Sequence, residues 1–189
     1  MSAIIIIAAV AFVLAVIAVF GVVAFNSLRN LDVGAQEALG GIDVQLTRRA
    51  DLVPNLVNAV KGYAQHEKAL FEEVTAARTG AAQAAASNNV DEKATAQARL
   101  DRAIGNVMVV AENYPDLKAS ANFLHLQQQL ADTENQLAFA RQYYNDATAQ
   151  LNKKVVTIPW MFFTGLAKVG KRDFYKAPEG QQAPPQVSF

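Results

Sequence analysis

Hydrophobic and polar positions divide this chain into two unlike parts. Residues 3 to 25 (AIIIIAAVAFVLAVIAVFGVVAF) are 23 consecutive apolar positions, and the first charged side chain is Arg29. At 1.5 Å rise per residue that run is roughly 34 Å long as a helix, enough to cross a hydrocarbon core of about 30 Å with modest tilt. A buried helix of a soluble core rarely lacks polar residues over so many positions. Nothing basic precedes the run, and its exit, Val23-Ala24-Phe25-Asn26-Ser27, is a poor cleavage site, so a cleaved signal peptide is disfavoured. Residues 1–28 are therefore read as a retained transmembrane anchor. Positive charge falls only on the C-terminal flank (Arg29, then Arg48 and Arg49). By the positive-inside rule the N-terminus then lies outside and the body in the cytoplasm, a single pass of the cell (inner) membrane.

After the anchor the pattern becomes amphipathic. From about Leu39 to Arg78 the apolar residues Ile42, Leu46, Val53, Leu56, Val57, Val60, Ala64, Phe71 and Val74 recur at spacings of three, four and seven, which predicts one long helix. Pro54 sits inside it and predicts a kink or a restart. Residues 79–90 (TGAAQAAASNNV) read as a loop, with Ser87, Asn88 and Asn89 able to stop one helix and cap the next. A second helix is expected from Asp91 to Asn113, ended by Tyr114-Pro115-Asp116. A third, from Ala119 to Val156, carries Leu126, Leu130, Thr133, Leu137, Ala140, Tyr144, Ala147 and Leu151 in a heptad register, the pattern of a bundle or coiled-coil seam. No stretch alternates as a strand would. The expected fold is all-α, an N-terminal transmembrane helix followed by an elongated antiparallel bundle of long helices over residues 29–156.

Two further segments follow. Residues 157–175 open with TIPWMFFTGLAKVG, which gathers Trp160, Met161, Phe162, Phe163 and Leu166 behind a proline and holds the sole tryptophan. It is too short to span a bilayer. Trp160, Phe162 and Phe163 either contact the membrane interface or a partner, or cap the open end of the bundle core. Residues 176–189 are rich in Pro and Gln and have the composition of a tail, ordered only if a neighbouring chain holds it.

Composition narrows the function classes. Net charge is formally zero, with 17 basic and 17 acidic residues scattered along the chain, so neither a nucleic-acid footprint nor a polybasic lipid patch is expected. There is no cysteine, which removes disulfides, thiolate metal sites and Cys nucleophiles. No G-x-S-x-G elbow and no Gly-rich phosphate loop occurs. His66-Glu67 opens like a zincin helix, but Leu70 stands where the second histidine would fall, and His125 is the only other histidine. The E-x-x-H pairs of di-iron bundles are missing as well. No cofactor, metal site or catalytic residue is assigned, and a metal-dependent enzyme is the least favoured alternative.

Two charges fall on apolar stripes. Arg49 continues Ile42, Leu46, Val53 and Leu56, and Glu67 continues Val60, Ala64, Phe71 and Val74. Charges there are costly unless paired. At 18 residues apart on one helix, roughly 27 Å, they cannot pair with each other. Glu134 and Arg141, flanking the long seam, are the candidate partners. The stripe charges either form a buried network that fixes helix register or subunit contact, or snorkel into solvent.

These residues carry a resemblance. The block Asn26 to Arg78, with the core I-D-V-Q-L-x-R-R-x-D-L-x-P-N-L-V-x-x-V-K-x-Y-x-x-H-E, is similar to the LemA family. So are Asn113-Tyr114-Pro115-Asp116-Leu117-Lys118 and the stretch Ala138 to Tyr175, with Tyr144-Asn145, Asn152, Ile158-Pro159 and Phe174. The chain departs from that pattern at Phe25 and at Leu39-Gly40-Gly41, the latter a flexible pair that argues against a rigid helix leaving the membrane. The resemblance implies a membrane-anchored long-helix bundle with no established enzymatic activity and with proposed links to membrane stress, membrane proteases and organelle membrane formation. Mapped onto this sequence it singles out Asp43, Gln45, Arg48, Arg49, Asp51, Pro54, Asn55, Lys61, Tyr63, His66 and Glu67, for helix register and partner contact. Asp51 would cap a helix restarting at Pro54. The function expected is a non-enzymatic membrane scaffold that self-associates as a homo-oligomer or docks other membrane proteins. The alternative is a membrane-shaping or lipid-sensing protein that inserts residues 158–166 into the bilayer.

Overall fold

A computed structural model describes residues 2–64 and 66–176, and every regular element among them is a helix. The tail expected from residue 176 lies outside the described residues except for Lys176, and so does any ordering of it by a neighbour. In chain order the helices are α1 (Ser2–Lys61), α2 (Lys68–Ala85), α3 (Val90–Ala111), α4 (Pro115–Lys118) and α5 (Ala121–Val156). A 3-10 turn (Trp160–Phe163) and α6 (Thr164–Ala167) follow. The chain divides into two compact units, one of Met1–Ala38 with Asn145–Asp173 and the other of Leu39–Tyr144 with Phe174–Phe189.

The helix boundaries differ from the sequence expectation in four places. Helix α1 runs unbroken through Gly40-Gly41, whose neighbours Leu39 and Ile42 are fully buried. Two helical glycines cost about 1 kcal/mol each relative to alanine, and the burial of the flanking leucine and isoleucine offsets that. It also runs through Pro54 without a restart. Proline has no N–H to offer the carbonyl four residues back, and Arg78 Nε of α2 donates instead to that carbonyl, Ala50 O, at 3.1 Å. The break falls later, at residues 62–67. There the Val60 carbonyl accepts from both Tyr63 N (3.0 Å) and Ala64 N (2.9 Å), and the chain turns at Gly62. The expected single helix over 39–78 is therefore two.

Helix α2 extends to Ala85, so the expected twelve-residue loop shrinks to four, residues 86–89. Alanines fill its inner face (Ala77, Ala81, Ala84) and favour helix over loop. Asn89 caps α3 by accepting from Asp91 N and Glu92 N at 3.0 and 3.2 Å. Ser87 completes the turn, accepting from Asn89 N at 3.1 Å and donating to Glu92. Pro115 opens α4, where its missing N–H is harmless. The core of this unit is built from Val53, Leu56 and Val60 of α1, Val74 and Ala77 of α2, Leu100, Ile104 and Val107 of α3, Leu117, and Phe123 and Leu130 of α5.

The other unit is smaller. Its core joins Leu28 and Ala35 of α1 to Leu151 of α5, Ala167 and Val169, with Phe25, Trp160 and Phe163 packed against them. The carboxamide of Asn152 pairs with the backbone of Arg172, donating to its carbonyl at 2.8 Å and accepting from its N–H at 2.9 Å. Arg172 in turn donates to Asp32 and Gln36 of α1, each at 2.9 Å. Helix α6 closes with Lys168 in the left-handed region (φ 52°), and Val169 N bonds back to Thr164 O at 3.1 Å. That is a Schellman-type ending in a position that usually takes glycine. From Ile4 to Val23 the large apolar side chains of α1 stay exposed.

Candidate functional site

The larger unit holds a chain of buried polar groups. Arg49 lies on the inward face of α1, three to four residues from Leu46 and Val53, and is only 7 % exposed. Its guanidinium pairs with Asp101 of α3 at 3.0 Å and with Glu134 of α5. Glu134 also accepts from Arg141, two turns along α5, at 2.9 Å. Arg141 Nε donates to the Leu137 carbonyl at 3.4 Å. On the other side Asp101 accepts from Gln97 at 3.3 Å, and Gln97 accepts from the Tyr175 hydroxyl at 2.7 Å. Side chains from α1, α3, α5 and the C-terminal segment thus form one connected series.

Burial dominates its electrostatics. It pulls the Arg49 guanidinium below its ordinary range; Asp101 opposes that and Arg141 adds to it. It raises the Asp101 carboxyl, against Arg49, the Gln97 hydrogen bond and Arg141. It also raises the Tyr175 phenol, against Arg141. Such a cluster gives little net stability over an apolar core, but losing one member leaves the others uncompensated.

A second buried charge sits apart from this series. Lys93 of α3 is fully buried, pairs with Asp43 of α1, and donates to the carbonyls of Ala84 (3.2 Å) and Ala85 (2.8 Å). Both carbonyls belong to the last turn of α2, where Ala84 O also accepts from Ser87 N at 3.0 Å. One ammonium therefore ties three helices together.

The remaining motif residues scatter. Arg48 is exposed and donates to Gln136 at 3.1 Å. Gln45 is half-buried, and Asn55, Lys61, Tyr63 and His66 are exposed. Asp51 caps nothing, because α1 does not restart; it is exposed, 4.0 Å from Arg78. Glu67 is neither buried nor on an apolar stripe. It precedes α2 in the turn after α1, exposed to solvent, because the break after Lys61 ends the stripe that would have enclosed it. Tyr144 is one of the largest fully buried side chains and Asn145 is half-buried. Trp160 and Phe163 are half-buried on the smaller unit's core, while Phe162 is exposed.

Sequence reasoning missed Lys93, Gln97 and Asp101. The signal was present: Lys93 and Gln97 extend the α3 stripe of Leu100, Ile104 and Val107 backward at spacings of three and four, the same test that singled out Arg49. Arg78 was legible too, as a donor for the carbonyl that Pro54 leaves free. No group of three or more potential metal ligands occurs among the described residues. An open groove of about 510 Å³ lies between α2 and α3, lined by Asn89, Asp91, Glu92 and Arg99 among others; among the described residues no unpartnered buried polar atom belongs to its lining.

A model of the LemA family matches residues 38–189. The chain is similar to magnetosome proteins MamQ 2 and MamQ 1 of Paramagnetospirillum magneticum, 22% identical over 202 residues, covering 90% of this chain and 74% of each relative. It is likewise similar to magnetosome protein MamQ of Magnetospirillum gryphiswaldense, 22% identical over 182 residues, covering 82% of this chain and 66% of that one.

Proposed function

The chain belongs to the LemA family, and on that footing we propose that it is a non-enzymatic, single-pass membrane scaffold whose helical body self-associates or docks other membrane proteins. Its association with membranes follows from the uncovered apolar length of α1 and from its relatives. The likeness to proteins named for the magnetosome supports a part in membrane organisation. The observation that carries self-association is an aromatic pair on α5. Phe139 and Tyr143 lie one turn apart and are 77% and 66% exposed, a large apolar investment for a surface that touches only water. The polar interior suits the same role, since buried ion pairs serve helix register more than stability.

The body is assigned to the cytoplasm, because Arg29 and the exposed Lys153, Lys168 and Lys171 all belong to the unit that contains the anchor's C-terminal flank. Protease protection in sealed vesicles tests that orientation. Mass photometry of the full chain in nanodiscs tests the scaffold. A discrete oligomer that falls to monomer in a Phe139→Ser, Tyr143→Ser double variant is the expected result; a monomer in the unaltered chain, with no co-purifying membrane protein, overturns it.

A further inference from the structure

We infer that residues 158–166 form a second membrane-contacting element, seated in the headgroup and upper acyl region beside the transmembrane helix, with a preference for anionic lipid. The inference rests on α1 being a membrane anchor and adds to that reading.

Depth is set by what the segment touches. The Phe163 ring packs on Phe20 with centroids 5.9 Å apart. A methyl group at Gly21 would come within 3.3 Å of the same ring, so glycine lets the segment close onto α1. Phe20 and Gly21 lie inside the apolar run, four to five residues before its end at Phe25. At 1.5 Å per residue that places Phe163 roughly 6 to 8 Å below the end of the run. A ring at that level of a membrane-spanning helix is below the headgroups.

Among the described residues, none covers the other side of the segment. Ile158, Met161, Phe162 and Leu166 are 70, 42, 72 and 71% exposed. They flank a docked ring whose partners belong to the anchor, so the uncovered surface continues the lipid-facing surface of α1. Trp160 supplies the interfacial part: its ring is half-buried, and the Lys154 ammonium lies 4.8 Å from its centroid while also donating to Ser27 Oγ at 2.5 Å. An amphipathic ring beside a cation, at the level where α1 gains its first polar side chains, is the arrangement of a headgroup layer.

Charge selects the lipid. The whole-chain balance of zero conceals a local bias between Asp146 and Asp173. Residues 147–172 contain five basic side chains (Lys153, Lys154, Lys168, Lys171 and Arg172) and no acidic one. Arg172 is engaged by Asp32, whereas Lys153, Lys168 and Lys171 are exposed and bracket the apolar segment. Apolar insertion flanked by lysines favours anionic membranes.

The test places one tryptophan at a time in the full chain, reconstituted in phosphatidylcholine vesicles with or without phosphatidylglycerol. In a Trp160→Phe background, Phe162→Trp reports the segment, Phe12→Trp the anchor and Leu124→Trp, at a position 51% exposed on α5, the body. The unaltered Trp160 gives a second reading of the segment without substitution. Expected are blue-shifted emission at 160 and 162, quenching of both by lipid brominated near the headgroup end, and loss of iodide quenching that deepens with phosphatidylglycerol. Position 124 should stay open to iodide, and position 12 should be quenched by bromine at the bilayer centre. Iodide-accessible, bromine-insensitive tryptophan at 160 and 162, with position 12 still quenched at the centre, overturns the inference and leaves the anchor standing. Failure of position 12 removes the anchor reading, and this one with it. Insertion that is indifferent to phosphatidylglycerol overturns the lipid preference alone.

Discussion

The two units use polar side chains in opposite ways. In the unit of Met1–Ala38 and Asn145–Asp173, polar groups work at the margin: Asn152 pairs with the backbone of Arg172, and Arg172 reaches Asp32 and Gln36 over an apolar core. These contacts fasten an irregular segment to a helix, and partial solvation of both partners limits what each is worth. In the other unit the charges are inside. Arg49, Lys93 and Gln97 are buried at positions where leucine would pack, and their partners Asp101, Glu134 and Asp43 are half-buried. A helix pair with a uniform apolar seam can slide by a heptad at modest cost. An arginine that must meet Asp101 and Glu134, and a lysine that must meet Asp43 and the end of α2, admit one register. One unit is held against fraying, the other against slippage.

That contrast is open to measurement. Arg49→Ala should cost the most, about 3 to 5 kcal/mol, because it leaves the half-buried Asp101 without its cation and Glu134 with Arg141 alone. Hydrogen exchange should accelerate in α3 and in the first half of α5 while Leu151 to Ala167 stays protected; uniform acceleration would mean that the units do not differ in this way. Tyr175→Phe should cost about 1 kcal/mol for the lost bond to Gln97 and should also change the alkaline limb. Burial raises the folded-state pKa of this phenol, so its contribution is complete below the unfolded value of about 10 and is lost as pH rises from there towards the folded value. The unaltered chain should therefore lose more stability than Tyr175→Phe between neutral pH and pH values above about 10, read by thermal unfolding.

Smaller effects sharpen the comparison. Arg78→Ala should cost about 1 kcal/mol by orphaning the Ala50 carbonyl, and much less in a Pro54→Ala background, where the helix can satisfy that carbonyl itself. Equal losses in both backgrounds would sever the link between Arg78 and Pro54. Asp32→Ala, at the margin of the smaller unit, should cost no more than about 1 kcal/mol. Glu67→Ala should fall within about 0.5 kcal/mol of the unaltered chain, since the residue is exposed. A loss comparable with that of Arg49→Ala would restore it to the interior.

Much of the architecture was legible from residue order. The α5 seam was read as Leu126, Leu130, Thr133, Leu137, Ala140, Tyr144, Ala147 and Leu151; six of these eight are buried, and Ala140 and Ala147 are half-buried. The errors gather where local rules compete. Pro54 and Gly40-Gly41 each argue against helix, yet packing of Leu39, Ile42 and Leu56 and a donor from another helix outweigh them. Glu67 looked interior only because the stripe was extended past Gly62, where the chain turns. Of the candidate site, the sequence exposed Arg49 as a misfit but could name its partners only as possibilities, and it passed over Lys93 and Asp101.

By itself, then, the order of residues determined the 23-residue apolar run, the absence of strand patterning and the inward face of each long helix. These follow from periodicity and length, which act along one chain segment at a time. Tertiary structure alone decided that Asp101, 52 positions from Arg49, shares its charge, that Lys93 closes α2, and that Phe163 reaches Phe20. Periodicity tells a side chain which way to face. Which neighbour it meets depends on how separate helices pack, and there the cost of an unpaired buried charge selects the register.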